Sequence, residues 1–213
     1  MLSPANLAGI RAGYVLKSEA RSDLACRLRD PGVGLGELFS FVSGLYFRGK
    51  LAYARAFSTP PPGLSGSFVI TTSAGLIAPE TIVTLDQVRE FATNEIDAGH
   101  QRYRAPLDRD CLSLAERAGA ECDIVLLGSI ATSKYVEPLL QILGERLVFP
   151  AEFVGRGDMS RGGLMLRSVE AGKELIYEPV LSATRRGPRP PKLMPAARRR
   201  SKIQVESSTH SPE

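Results

Sequence analysis

The sequence predicts a three-layer α/β domain, a mostly parallel sheet covered by helices on both faces, followed by a disordered basic tail. Three observations point there. From residue 67 onward, apolar runs of strand length alternate with amphipathic segments. Residues 123–129, DIVLLGS, are apolar without alternation, as in a strand buried on both faces. Basic charge collects at the C-terminal end. Strands separated by helices imply crossover connections, which makes a Rossmann-like sandwich the expected architecture for residues 1–183.

Taken in order, residues 1–34 give a mixed signal. GYVLKSEARSDLACRLRD fits a short strand or an irregular lead into a helix, and Asp30-Pro31-Gly32 breaks whichever forms. Residues 37–57 set Leu38, Phe41, Val42, Leu45 and Ala52 near one face of a helix, in which Gly44 and Gly49 either weaken the helix or mark close packing. STPPPGLSG is a loop and SFVITT, residues 67–72, a buried strand. A helix over 84–92 takes Thr84 as its cap, and one over 106–119 starts at Pro106 and stops at Gly119. After the strand at 123–129, KYVEPLLQILG reads as a helix ending at Gly144, RLVFP as a strand, SRGGLMLRSVEAG as a helix and ELIYEPV as a last strand.

Composition narrows the classes of function. With 213 residues and 43% hydrophobic content the chain buries one substantial core. No apolar run reaches the roughly 18 residues of a membrane span, and no basic start leads into an apolar one, so a soluble cytoplasmic protein without membrane contact is expected. Cys26, Cys111 and Cys122 lack zinc-like spacing and are read as reduced, mostly buried thiols. His100 and His210 are the only histidines, too few for a multi-histidine metal site, and neither metal nor cofactor is expected. Residues 184–213 hold eight Lys and Arg against Glu206 and Glu213, while the preceding residues are slightly acidic. Rich in Pro, Arg and Ser, this segment buries too little to order itself, and it suits nonspecific phosphate contact with nucleic acid or plain solvation.

In open parallel sheets ligands bind beyond the carboxyl ends of the strands, where loops enter helix N-termini. Three loops fall there by this reading. GSIATSK offers Gly128 for close backbone approach, the hydroxyls of Ser129 and Thr132, and the charge of Lys134 beside a helix start; Pro138 is placed in the first turn. A cap and a turn explain the same residues without a ligand. FPAEFVGRGDMSRGG supplies Arg156 and Arg161 for bidentate capture of an anion, with Asp158 and Glu152 as acid and base; Asp158 capping the helix and pairing with Arg161 is the structural alternative. TTSAGLIAPE adds Ser73 and Gly75. The Walker A spacing is absent. The expected function is binding of a phosphorylated or nucleotide-like ligand between these loops, with metal-independent hydrolysis or transfer at a nucleoside or sugar phosphate as the reaction class. The alternative is a noncatalytic interaction protein that touches nucleic acid through its tail.

The order of motifs over residues 45–145 resembles a family of uncharacterised bacterial Rossmann-like proteins. There an aromatic-rich helix such as LYFRGKLAYARAF precedes a strand and a Ser-Ala-x-x-Gly-Leu-x-x-Pro loop, and a segment similar to VLLGSIATSKYVEPLL follows. Here Ser73, Ala74, Gly75, Leu76 and Pro79 match that loop, with Ala74 and Gly75 adjacent, a departure from the spacing. The resemblance implies the same fold and a tie to nucleotide or nucleic-acid metabolism.

Overall fold

A computed structural model describes residues 1–191 and 193. Among these, the helices are α1 (Ile10–Leu16), α2 (Asp23–Arg29), α3 (Leu35–Ser43), α4 (Leu45–Phe57), α5 (Leu85–Thr93), α6 (Gln101–Ala118), α7 (Ser133–Leu143) and α8 (Asp158–Ala171). The strands are β1 (Val33–Gly34), β2 (Val69–Ile70), β3 (Leu76–Ile77), β4 (Ile82–Val83), β5 (Ile124–Val125), β6 (Leu147–Pro150) and β7 (Tyr177–Pro179). Most of the predicted basic tail falls outside the described residues. Its described start lies against the body, with Arg185 bonded to Glu137 at 2.5 Å and Gly187 beside Val154.

The Rossmann-like sandwich does not form. The strands are two to four residues long and divide among three small sheets, β1–β4, β2–β3 and β5–β6–β7, in which only β5–β6 pair in parallel. The expectation failed because it treated every apolar run as a crossover strand. After β2, the Thr71 hydroxyl accepts from Ala74 N–H and donates to Gly75 O at 2.9 Å, so the chain folds back into β3 as a hairpin. The last strand returns antiparallel to β6. Two of the small sheets are joined by Leu2, which makes single parallel bridges to Val69 and to Leu127.

Several elements follow from local chemistry. The single helix expected over 37–57 is two, because Gly44 adopts φ 59° and ψ −129°, a backbone that side-chain-bearing residues avoid. Helix α5 begins in a capping box, with Gln87 Oε1 accepting from Thr84 N–H at 2.9 Å. Helix α6 starts five residues before Pro106, and α7 likewise carries Pro138 as its sixth residue, not in its first turn. Each proline withholds an N–H from the carbonyl four residues earlier, a loss these helices offset through their buried faces. For α7 that face is Tyr135, Val136, Leu139 and Leu143.

Helices α4 and α8 meet backbone to backbone. A Cβ placed on Gly49 would lie 2.7 Å from Gly162 O, and one on Gly162 would lie 2.7 Å from Leu45 O and 2.8 Å from Tyr46 Cα. Two facing glycines let the helices approach as closely as their main chains permit. This contact carries Tyr46 and Lys50 of α4 to the N-terminal turn of α8, which holds Asp158 and Arg161.

Candidate functional site

Leu2 sits between β2 and the residues after β5 in parallel pairing. Leu2 N–H donates to Phe68 O at 2.7 Å and Ile70 N–H to Leu2 O at 3.0 Å; Leu127 N–H donates to Met1 O at 2.8 Å and Ser3 N–H to Leu127 O at 3.2 Å. Parallel pairing sends three segments out at the same edge: Ser3–Pro4, Thr71–Thr72 and Gly128–Ser129. Pro4 has no N–H for the next rung toward Ile70, which ends the pairing on that side. On the other side the next rung would join Ser129 N–H to Ser3 O, but Ser3 O accepts from Lys50 Nζ instead, at 2.6 Å. A cleft of about 730 Å³ opens where these segments diverge, its wall including Ser3, Tyr46, Thr72, Ser129, Lys134 and Asp158.

The floor of the cleft is unusual in its chemistry. Lys50 is fully buried, with Nζ 3.0 Å from Ser3 Oγ and 4.3 Å from the centre of the Tyr46 ring. Burial pushes the Lys50 amine down to about 7, against the opposing pull of the Asp158 carboxylate; the Arg161 cation lowers it further. Tyr46 is 6% exposed and its Oη makes no hydrogen bond of good geometry among the described residues, although the Arg161 guanidinium lies near enough to work against the effect of burial on the phenol. Burial pushes this phenol upward and keeps it protonated, so it is a standing donor. Gly128 closes the floor: a Cβ there would fall 2.9 Å from Ser3 Cβ and 3.1 Å from Tyr135 Oη, so only glycine lets the segments touch. Tyr135 Oη donates to Ser129 O at 2.7 Å and fixes the loop before α7.

The structure brings together part of the set expected from sequence. Ser129, Lys134 and Asp158 line the cleft, with Gly128 and Arg161 directly behind them. Arg161 is buried and donates through Nε to Phe153 O at 3.2 Å and through a terminal nitrogen to Asp158 Oδ1 at 3.4 Å, so the pairing of Asp158 with Arg161 is present, but Asp158 does not cap α8, whose N-cap is Gly157 without a side-chain bond. Arg156 is outside the lining; it donates to Glu152 O at 2.9 Å and to Ser160 Oγ at 3.3 Å. Glu152 is also outside it, with Oε2 buried and unpartnered. Thr132 is the N-cap of α7 without a side-chain cap bond and is exposed. Gly75 packs on α6, where a Cβ would meet Pro106 O at 2.6 Å, and Ser73 Oγ is buried without a partner.

Ser3, Tyr46, Lys50 and Tyr135 were not among the residues singled out for the site. Ser3 precedes any recognisable element, and Lys50 on an amphipathic helix reads as solvated. Only the neighbouring Gly49, which permits the contact with α8, signalled that this face of α4 is buried. Comparisons with protein-family models, with curated proteins and with solved structures give no match to this chain.

Proposed function

We propose that the cleft between Ser3, Thr72 and Ser129 binds a small phosphorylated or nucleotide-like ligand. The observation that carries this reading is Tyr46, a residue of the cleft wall whose hydroxyl is buried and unpartnered. A donor left unsatisfied at this depth costs about 1–3 kcal/mol, and a ligand oxygen that accepts from it recovers that cost. Lys134, also on the wall, supplies exposed positive charge. The first turn of α7 presents amide N–H groups that Thr132 does not cap. The arginines expected to clamp the anion are committed to the protein's own carbonyls, so the role of anion holder passes to Tyr46, Ser129 and Lys134.

The test is thermal unfolding with inorganic phosphate, nucleoside monophosphates and sugar phosphates. A ligand at about 100 times its dissociation constant stabilises by roughly 2.7 kcal/mol, which in a chain of this size is a rise of roughly 5–11 °C. Tyr46→Phe and Lys134→Ala remove most of that rise and Arg156→Ala keeps it. A rise that survives Tyr46→Phe with Lys134→Ala, or the absence of any rise across the panel, overturns the reading.

A further inference from the structure

We propose that Ser3 and Lys50 are a nucleophile and general base, and that the cleft floor catalyses acyl transfer from a carboxylic ester to water. Ser3 Oγ lies 3.0 Å from Lys50 Nζ, within hydrogen-bond reach, and Ser3 is part of the cleft wall while Lys50 is sealed beneath it. A serine hydroxyl is a weak nucleophile until an adjacent base accepts its proton, and a serine paired with a lysine is one arrangement that achieves this. The base is fixed in place. Its second contact, to Ser3 O at 2.6 Å, ties the amine to the residue it would activate, and the rings of Tyr46 and Phe47 close over it at 4.3 and 4.8 Å.

Burial makes the amine competent for this role. A solvated lysine is protonated at neutral pH and has no lone pair to offer, whereas Lys50, lowered to about 7, is largely neutral at pH 8. Two charged groups face it from α8: Asp158, which favours the ammonium, and Arg161, which opposes it. From α4 itself it meets the neutral phenol of Tyr46. In the structure Lys50 Nζ donates to Ser3 O and to Ser3 Oγ, and the Ser3 hydroxyl donates to Leu127 O at 3.4 Å; activation turns that hydroxyl from Leu127 O to the lone pair of the neutral amine.

The step balances without a further reagent. Ser3 Oγ bonds to the ester carbonyl carbon as its proton passes to Lys50 Nζ and the carbonyl π pair moves to oxygen. Collapse of this adduct breaks the bond to the alkoxy oxygen, which leaves as the alcohol with the Lys50 proton. Water then adds to the acyl-serine, giving its proton to Lys50, and the second collapse returns that proton to Ser3 Oγ and releases the acid. The developing oxyanion falls, in this proposal, to two donors of cleft-lining residues. One is Tyr46 Oη; the other is Ser129 N–H, which has no backbone partner among the described residues.

This inference does not depend on a phosphorylated ligand, and the probe for it carries no ionised group, so the two readings fail separately. The full chain is incubated with an alkyl fluorophosphonate, and intact mass with peptide mapping gives the site and rate. The expected result is one adduct, on Ser3, formed faster as pH rises through about 7, absent in Ser3→Ala and slowed about 100-fold in Lys50→Met. Because Lys50→Met alters the core, Ser3→Cys gives a second readout. Its thiol, beside Lys50, reacts with iodoacetamide faster at pH 7 than Cys26 of the same chain. Absence of an adduct on Ser3, an unchanged rate between pH 5 and 9, or a Ser3→Cys thiol no faster than Cys26 overturns the proposal.

Discussion

Gly162 and Gly163 are adjacent in α8, yet alanine at the two positions has opposite consequences. At Gly163 the nearest atom to an added Cβ is Leu193 Cδ1 at 3.8 Å, an ordinary contact. Replacement there gains what a helix interior gains on losing a glycine, about 0.5–1 kcal/mol. At Gly162 the same Cβ falls 2.7 Å from Leu45 O and 2.8 Å from Tyr46 Cα. Both atoms are main chain and cannot rotate away, so α4 and α8 must separate by roughly 1 Å to restore contact distance, and overpacking of this kind costs about 1–3 kcal/mol. The propensity gain is common to both variants and cancels in their difference. Gly162→Ala is therefore expected to fall below Gly163→Ala by about 1–3 kcal/mol, or roughly 2–12 °C in Tm at 2–4 °C per kcal/mol for a chain of this length. Urea unfolding of the two variants at equal m reads this directly. Equal stabilities would show that α4 and α8 do not touch through their backbones, and would remove the contact that sets Tyr46 and Lys50 against α8.

Three further outcomes follow from the same geometry. Gly44→Ala forces a side chain onto φ 59°, ψ −129° between α3 and α4 and costs about 1–3 kcal/mol, seen as a lower urea midpoint; an unchanged midpoint would mean that the junction relaxes. Lys50→Met changes how stability depends on pH. The lysine binds its proton less tightly folded than unfolded, so the unfolded chain holds more protons between about 7 and the ordinary lysine value near 10.5, and wild-type stability rises with pH across that window. The difference between wild type and Lys50→Met, measured by unfolding at pH 6, 8 and 10, grows in favour of wild type; a flat difference contradicts the buried amine. Iodoacetamide at pH 8 labels exposed Cys26 in the native protein and spares Cys111, which is buried with its thiol pushed up to about 12; equal labelling would refute that burial.

The sequence carried local signals well and pairing signals poorly. Thr84 before α5, Gly144 after α7 and Gly119 after α6 are short-range features, and each marks the helix boundary it was read to mark. Sheet topology depends on which runs pair and for how long, and Pro4, the Thr71 hydroxyl and Lys50 each curtail pairing in ways that periodicity does not register. For the site, Ser129 and Lys134 were legible because a glycine and hydroxyls precede a helix. Tyr46 and Lys50 were not, because their burial depends on packing against Ser3 and α8, both remote in sequence.

The most direct measurement of the central claim is a ¹H–¹⁵N correlation titration of the full chain with AMP. Binding in the cleft moves the amides of Thr72, Ser129, Ile130 and Lys134 together with Tyr46, and leaves those around Arg156 in place. Shifts centred on Arg156 and Glu152, or on the opposite cleft walled by Phe57, Pro61 and Tyr177, would contradict it.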